Sequence, residues 1–512
     1  MKKTISFHSF SIQYRLLLMV VICSLSVVTQ VAAQDKTMDD YHKLAPFAMP
    51  EVQLPVFSEN SYRITDFGAI GNGQALNTSA IQQAIEACSN AGGGTVVFPP
   101  GLWLTGPITL KSNIQLHIST GAVVLFTPDR NSYPIIPASK NTIKNFIVQP
   151  PVYGYKLKNV AITGGGVLDG SGEAWRPVKK SKVSEIQWKY FLSAGGVLSK
   201  DGQIWWPSEA AMNGDKYLKS IRKKEALTAD DFLPARDFLR PKMVVLVDCD
   251  KVLIDGPTFK NAPNFVMNPQ HCTNLVIRNV QVNNEYWAQN GDGIDISSCK
   301  NVMIYKCTVT AGDDGICMKS SGEKTPGVAE LANVIIADCI VYHAHGGFVI
   351  GSNTDGGMQN IFVNNCSFIG TDMGVRVKSN AGRGGTVKDI YVQNIYMTNI
   401  VNEAIGFDTY YEDMPAGKEK STLHEQPMDK VPNFSNFYFQ NIYCNGAATA
   451  ISIKGMPDAL IRQLHFKDMV IAAKSGFACE NATDLFLENV HIITGKQPVF
   501  ETNGCKNIQI TE

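Results

Sequence analysis

Four polar clusters, Asn290-Gly291-Asp292, Gly312-Asp313-Asp314, His345-Gly346-Gly347 and Arg376-Val377-Lys378, lie about one repeat unit apart in this 512-residue chain. Asp292 precedes Asp313 by 21 residues, Asp314 precedes His345 by 31, and His345 precedes Arg376 by 31. If each interval is one coil of a solenoid, these side chains sit on neighbouring rungs about 4.8 Å apart and form one wall. Three carboxylates, an imidazole and two cations on one wall suit acid/base cleavage of an acidic sugar polymer. Adjacent carboxylates such as Asp313 and Asp314 repel, so one keeps its proton while the other is ionised. Successive side chains of a strand point to opposite faces, and Gly312 and Gly315 are expected to relax the chain so that both aspartates face the groove.

The elements that would hold this wall show in the repeat itself. Asn274-Leu275-Val276-Ile277, Asn301-Val302-Met303-Ile304, Asn333-Val334-Ile335-Ile336, Asn360-Ile361-Phe362-Val363 and Asp389-Ile390-Tyr391-Val392 each place a polar residue before a short apolar strand. Weaker copies start at Asn113, Asn159, Lys251, Asn436, Asp484 and Asn507. Self-similarity at this spacing marks a solenoid, and units with short strands and no amphipathic helix leave an all-β parallel β-helix. The recurring Asn is expected to form an amide ladder along the stack. Ile81, Ala84, Ile85 and Cys88 share one face of a predicted helix over residues 80–88, placed to close the open end of the coils.

Two stretches break the repeat. Residues from about 173 to 240 contain Trp175, Trp188, Tyr190, Trp205 and Trp206 and read as an inserted subdomain, whose tryptophans serve either as its core or as a sugar-stacking platform. A second insertion, about 410–432, begins at Tyr410-Tyr411 and is strongly charged.

Composition narrows the function classes. Lys2, Lys3 and Arg15 precede the apolar run from Leu16 to Val28, and Val31-Ala32-Ala33 supplies small residues, so residues 1–33 read as a cleavable signal peptide. The run is short for a membrane span. The expected mature protein is periplasmic or secreted, cleaved near Ala33, with an N-terminal extension over 34–60 and the β-helix catalytic domain over 61–512. Removing the signal takes three of the 46 basic residues and none of the 46 acidic ones. The slightly negative remainder does not favour broad nucleic-acid binding, so an acidic substrate must be read by local cations. Of the 12 cysteines, eleven follow Cys23; those beside the repeat strands read as small buried apolar residues rather than zinc ligands, with disulfides open in an oxidising compartment.

Taken together, Asn290-Gly291-Asp292-Gly293-Ile294-Asp295, Gly312-Asp313-Asp314, His345-Gly346 and Arg376-Val377-Lys378, in this order, resemble the signature clusters of the polygalacturonases, glycoside hydrolase family 28. Thr65-Asp66-Phe67-Gly68-Ala69 and Phe98-Pro99-Pro100-Gly101 extend the resemblance towards the N-terminus. It implies a right-handed parallel β-helix that hydrolyses α-1,4 bonds of galacturonan in pectic polysaccharide or oligogalacturonides, with inversion and without metal or cofactor. By the same resemblance Asp313 is the general acid, Asp292 and Asp314 hold and deprotonate the attacking water, and His345 orients the acid. Asn290, Arg376, Lys378 and Tyr410 are the implied substrate-binding residues, with Tyr411 nearly as eligible as Tyr410. Inverting enzymes space their carboxyls by roughly 6.5 to 9.5 Å, which neighbouring rungs can supply. The chain departs from the family pattern at Gly291, where a threonine is usual, and at Ala344, where a glycine is common.

Other polar residues have plainer readings. Asp295 is expected to order its turn by hydrogen bonding rather than to touch substrate, His343 to sit in a surface loop, and Lys319 to be either a groove cation or solvated. Two other classes fit the fold: a calcium-dependent pectate lyase, which would leave an unsaturated product, and a β-helical binding module or adhesin, in which Asp313→Asn would be silent. Within the hydrolase reading, the insertion over 173–240 is large enough to wall one end of the groove. That points to exo-action, with a rhamnogalacturonan-directed hydrolase as the nearest alternative.

Overall fold

The computed structural model describes residues 36–138, 146–322, 328–411 and 430–512. The expected signal peptide and most of the second insertion lie outside them. The chain divides into two compact units. The described part of Met1–Leu44 holds one short helix, Met38–Leu44, and Ala45–Glu512 is a right-handed parallel β-helix.

Short strands rich in Val and Ile cannot bury both faces alone, so each stacks in parallel on the strand one coil away. One face stacks Ile114–Ile118, Lys158–Thr163, Asp250–Asp255, Thr273–Arg278, Lys300–Tyr305 and Leu331–Ala337 in turn. A second stacks Ala122–Phe126, Val167–Asp169, Thr258–Lys260, Gln281–Asn283, Thr308–Thr310 and Ile340–Tyr342. From Met358–Ile369 onward, strands of 12 or 13 residues run through both faces. The third face carries the polar clusters. Its eight parallel strands are β1 (Ile294–Ser297), β2 (Asp314–Lys319), β3 (Gly346–Ile350), β4 (Val375–Lys378), β5 (Glu403–Asp408), β6 (Thr449–Lys454), β7 (Ser475–Glu480) and β8 (Phe500–Asn503).

Like side chains stack on like. The inward row of the third face runs Ile294, Ile316, Phe348, Val375, Ile405, Ile451 and Phe477, all buried. Each contributes about 1.5 to 3 kcal/mol of burial. Cys249, Cys272 and Cys299 continue this core, as do Cys307, Cys339 and Cys366; all eleven cysteines of the described residues are free.

The repeated Asn does two jobs. Asn113, Asn159, Asn274, Asn301, Asn333, Asn360 and Asn436 all adopt a left-handed backbone, φ between 53° and 63°, which Asn tolerates better than most residues. Their side chains then bond along the stack, Asn159 to Asn113 at 2.9 Å, Asn333 to Asn301 at 3.0 Å and Asn360 to Asn333 at 3.1 Å. The helix Thr78–Asn90 buries Ile81, Ala84, Ile85 and Cys88 against the first coils, as its periodicity predicts. The insertion holds the helices Glu185–Ser193 and Glu209–Ile221 and a small antiparallel sheet. Trp175, Trp188 and Trp205 are buried in its two apolar clusters, so these tryptophans are core.

Candidate active site

The four clusters fall on successive rungs. Ile294 pairs with Ile316, which puts Asp292 and Asp314 in register, and the Gly293 N–H donates to the Asp314 carbonyl at 2.9 Å. The His345 N–H donates to the Asp313 carbonyl at 2.7 Å, and Val349 on the same rung pairs with Arg376. Asp313 ends the turn and Asp314 opens β2, and both side chains line the cleft, as expected. Glycines of the wall also serve its packing. Neither Gly293 nor Gly315 has a left-handed backbone, but a Cβ on Gly293 would meet the Gly315 carbonyl at 2.6 Å, and one on Gly315 the Gly346 carbonyl at 2.9 Å. They let adjacent turns close up.

Charge is distributed unevenly along the wall. Lys378 Nζ donates to Asp314 Oδ2 at 2.8 Å and Arg376 Nη1 to Oδ1 at 3.3 Å. Burial alone would raise the Asp314 pKa, but Lys378, Lys319 and Arg376 outweigh it and hold the carboxyl far below the usual range. Asp292 goes the other way: burial, then the charges of Asp295 and Asp313, push it well up, and its Oδ1 is buried without a hydrogen-bond partner. Asp314 and Asp292, one rung apart, are thus pushed in opposite directions. Asp313 is half-buried and shares a 2.9 Å hydrogen bond with His345 Nδ1.

One oxygen from each of Asp292, Asp313 and Asp314 lies within 4.8 Å of the others, closer than the general inverting spacing. The backbones of adjacent rungs hold them there. Two oxygens this far apart can still share one water, since each accepts a hydrogen bond of about 2.7 Å. The trio is compact enough to cradle a cation, but that charge is already supplied. Lys319 Nζ stands 3.5 Å from Asp292, 3.3 Å from Asp295 and 4.0 Å from Asp314.

Lys319 is therefore a wall cation, not a solvated one. Burial would lower its pKa, but Asp295, Asp292 and Asp314 among its neighbours raise it well above normal. Asp295 departs from expectation too: neither carboxylate oxygen makes a hydrogen bond, and the group faces Lys319 instead of ordering its turn. His343 is an exposed turn residue. Asn290 lines the cleft with its Oδ1 accepting from Arg240 Nη2 at 2.9 Å. Tyr410 is a correction. It is exposed and does not line the cleft, whereas the Tyr411 ring lies 4.9 Å from Lys378 Nζ and 5.3 Å from the Arg376 guanidinium. At a strand end one residue decides which face a side chain meets, and spacing alone does not fix that.

The cleft has a volume of about 600 Å³ and reaches from Asp292, Asp313 and Asp314 to Lys242 and Phe265. A smaller hollow of about 160 Å³, lined by Arg376, Tyr411, Ser452 and Lys454 among others, continues it beyond the cations. The insertion is fastened to the turn before Asp292. Arg176 donates to Glu285 at 2.9 Å and its guanidinium lies 5.2 Å from the Trp287 ring, while Phe191 packs on Trp287 at 5.3 Å. From the insertion Lys182 Nζ also comes within 3.5 Å of His345 Nε2. This turn explains Gly291: a Cβ there would meet the Ala288 carbonyl at 2.7 Å, leaving no room for the threonine seen in relatives of the motif. Lys242 and Arg240 were not singled out from the sequence because both lie outside the repeat.

Comparison with known proteins bears on the family and the fold. The profile of glycosyl hydrolases family 28 matches residues 183–492, and that of rhamnogalacturonase A/epimerase, pectate lyase-like, matches 61–170. The exo-poly-α-D-galacturonosidase of Dickeya chrysanthemi is 26% identical over 468 residues, covering 87% of this chain and 73% of its own. The exopolygalacturonase of Thermotoga maritima superposes with a TM-score of 0.71 at 28% identity, covering 86% of this chain and 94% of that one. The family 28 exopolygalacturonase of Yersinia enterocolitica gives 0.70 at 21% identity, covering 89% and 79%, and supports the fold.

Proposed function

The chain belongs to the glycosyl hydrolases of family 28, and from that premise we propose that it is an exo-acting galacturonidase that removes terminal sugars from α-1,4-linked galacturonan. In the proposed reaction Asp313, oriented by His345, gives its proton to the leaving oxygen. Asp314, kept ionised by Lys378, Lys319 and Arg376, orients a water, and Asp292, whose affinity for a proton is raised by burial and Asp295, takes the water's proton as the new bond forms. The C–O bond to the leaving sugar breaks as the water oxygen bonds to the anomeric carbon on the opposite face, so the configuration inverts. Lys378, which lines the cleft, and Arg376, which lines the hollow continuing it, bind a substrate carboxylate.

One observation carries the exo reading: the insertion is bolted by Arg176, Phe191 and Arg240 to the turn bearing Asn290 and Asp292, where it can wall the groove. The exo-acting relatives support it. Incubation with polygalacturonate tests it: monomers or another single terminal product should appear from the first minutes while viscosity falls slowly. A rapid viscosity loss with mid-sized oligomers would show an open groove. On the composition of residues 1–33 we further propose cleavage near Ala33 and a periplasmic or secreted site of action, which N-terminal sequencing of the mature protein checks.

A further inference from the structure

Lys242 stands apart from the other cations of the cleft. Lys319, Arg376 and Lys378 each face an aspartate within 4.0 Å. Among the described residues, Lys242 has no such carboxylate. Its Nζ donates to Asn268 Oδ1 at 2.7 Å and lies 4.6 Å over the Phe265 ring, and both of these residues line the 600 Å³ cleft beside it. An ammonium has three donors, and the protein uses one.

The acceptor is held rigidly. Asn268 Nδ2 donates to the Asp295 carbonyl at 3.0 Å and to Ser297 Oγ at 2.9 Å, and Gln270 Nε2 donates to the same Asn268 Oδ1 at 2.7 Å. The one acceptor of the lysine is thereby fixed in the wall of the cleft that Lys242 itself lines. The position of Lys242 relative to the scissile bond follows from the rungs. The water-activating Asp292 lies one rung before Asp313, and Arg376 and Lys378 lie two rungs after it. The sugar whose anomeric carbon is attacked must therefore extend from Asp292 away from the Arg376–Lys378 clamp, towards Asn268 and Lys242.

We propose that Lys242 binds the carboxylate of the sugar on the non-leaving side of the scissile bond, making this end of the cleft selective for an acidic terminal residue. The proposal rests on the galacturonidase reading and deepens it: two carboxylates of the substrate are recognised, one on each side of the cleaved bond, by separate cations. Burial pushes the pKa of Lys242 down, with Lys319 adding to that and Asp295 and Asp292 opposing it. A bound carboxylate would reverse that cost.

The test compares trigalacturonate with the same trimer methyl-esterified only on its non-reducing terminal carboxyl, using the full-length mature enzyme. Wild type should prefer the free acid. Lys242→Met should raise KM for the free acid by about tenfold or more, the effect of losing one charge-assisted bond, with a much smaller change in kcat. The preference for acid over ester should shrink by the same factor, and Lys242→Arg should restore part of it. An unchanged acid-to-ester preference in Lys242→Met would overturn the proposal and leave Lys242 as a prop for Asn268; so would a wild type indifferent to the ester. If wild type cleaves neither trimer, the galacturonidase reading itself falls and the proposal with it, an outcome distinct from loss of selectivity alone.

Discussion

Two ladders run along the same coils at the same spacing, and they treat polar groups in opposite ways. In the asparagine ladder each amide bonds the next, Asn360 to Asn333 to Asn301, so a left-handed corner repeats without leaving polar atoms unpaired. In the charged wall, Asp292 Oδ1 and both oxygens of Asp295 are buried without hydrogen bonds, and like charges stack on adjacent rungs. Parallel stacking amplifies whatever it repeats. Neutral amides convert it into stability, while carboxylates convert it into shifted proton affinities, which is where reactivity comes from.

Breaking the wall should cost turnover and spare the fold. Asp313→Asn should lower kcat by about three orders of magnitude through loss of the acid, with an unchanged melting temperature, as steady-state kinetics and a thermal melt would show. More than a tenth of wild-type turnover would remove Asp313 from the acid role. Gly291→Thr restores the residue usual in the motif but drives its side chain into Ala288. Displacing the turn that carries Asp292 should cost about 10²-fold in kcat/KM, and a neutral outcome would show that the Glu285–Asn290 turn yields. Lys378→Ala should act on KM by about tenfold, since Arg376 remains to bind the carboxylate.

A pH profile sharpens the contrast between Asp292 and Asp314. The base must be ionised, and the Asp292 pKa is raised, so the acid limb of kcat/KM should lie above the ordinary carboxylate range. Asp295 contributes to that rise. Asp295→Asn removes the like charge and should therefore move the limb to lower pH; a limb that stays put would separate Asp292 from the rate. The smallest effect belongs to the other ladder. Asn333→Ala removes two amide bonds and places alanine at φ 59°, costing about 1 to 2 kcal/mol and a few degrees of melting temperature, with kcat unchanged.

Much of this was legible in the sequence because a solenoid turns chain spacing into spatial register. The intervals between Asp292, Asp313, His345 and Arg376 equal one coil each, and the recurrent Asn marks each corner. Lys319 could have been recognised by parity, since it follows Cys317 by two residues on the outward row of β2. What spacing does not encode is contact between non-repeating segments. Lys242 reaches the cleft and Arg240 reaches Asn290 only because the insertion returns the chain there, and Trp287 and Glu285 matter only through Phe191 and Arg176. The choice of Tyr411 over Tyr410 depends on the parity of one residue after β5, and the close approach of the three carboxylates on the turns that the glycines permit.

That close approach makes stereochemistry the most direct test of the central claim, a single displacement by a water held between Asp292 and Asp314. Time-resolved proton NMR of cleaved trigalacturonate reports the anomer formed first at the new reducing end. The account predicts the β-anomer from the α-linked substrate, followed by slow mutarotation. The α-anomer as first product would show retention through a covalent intermediate and would contradict it.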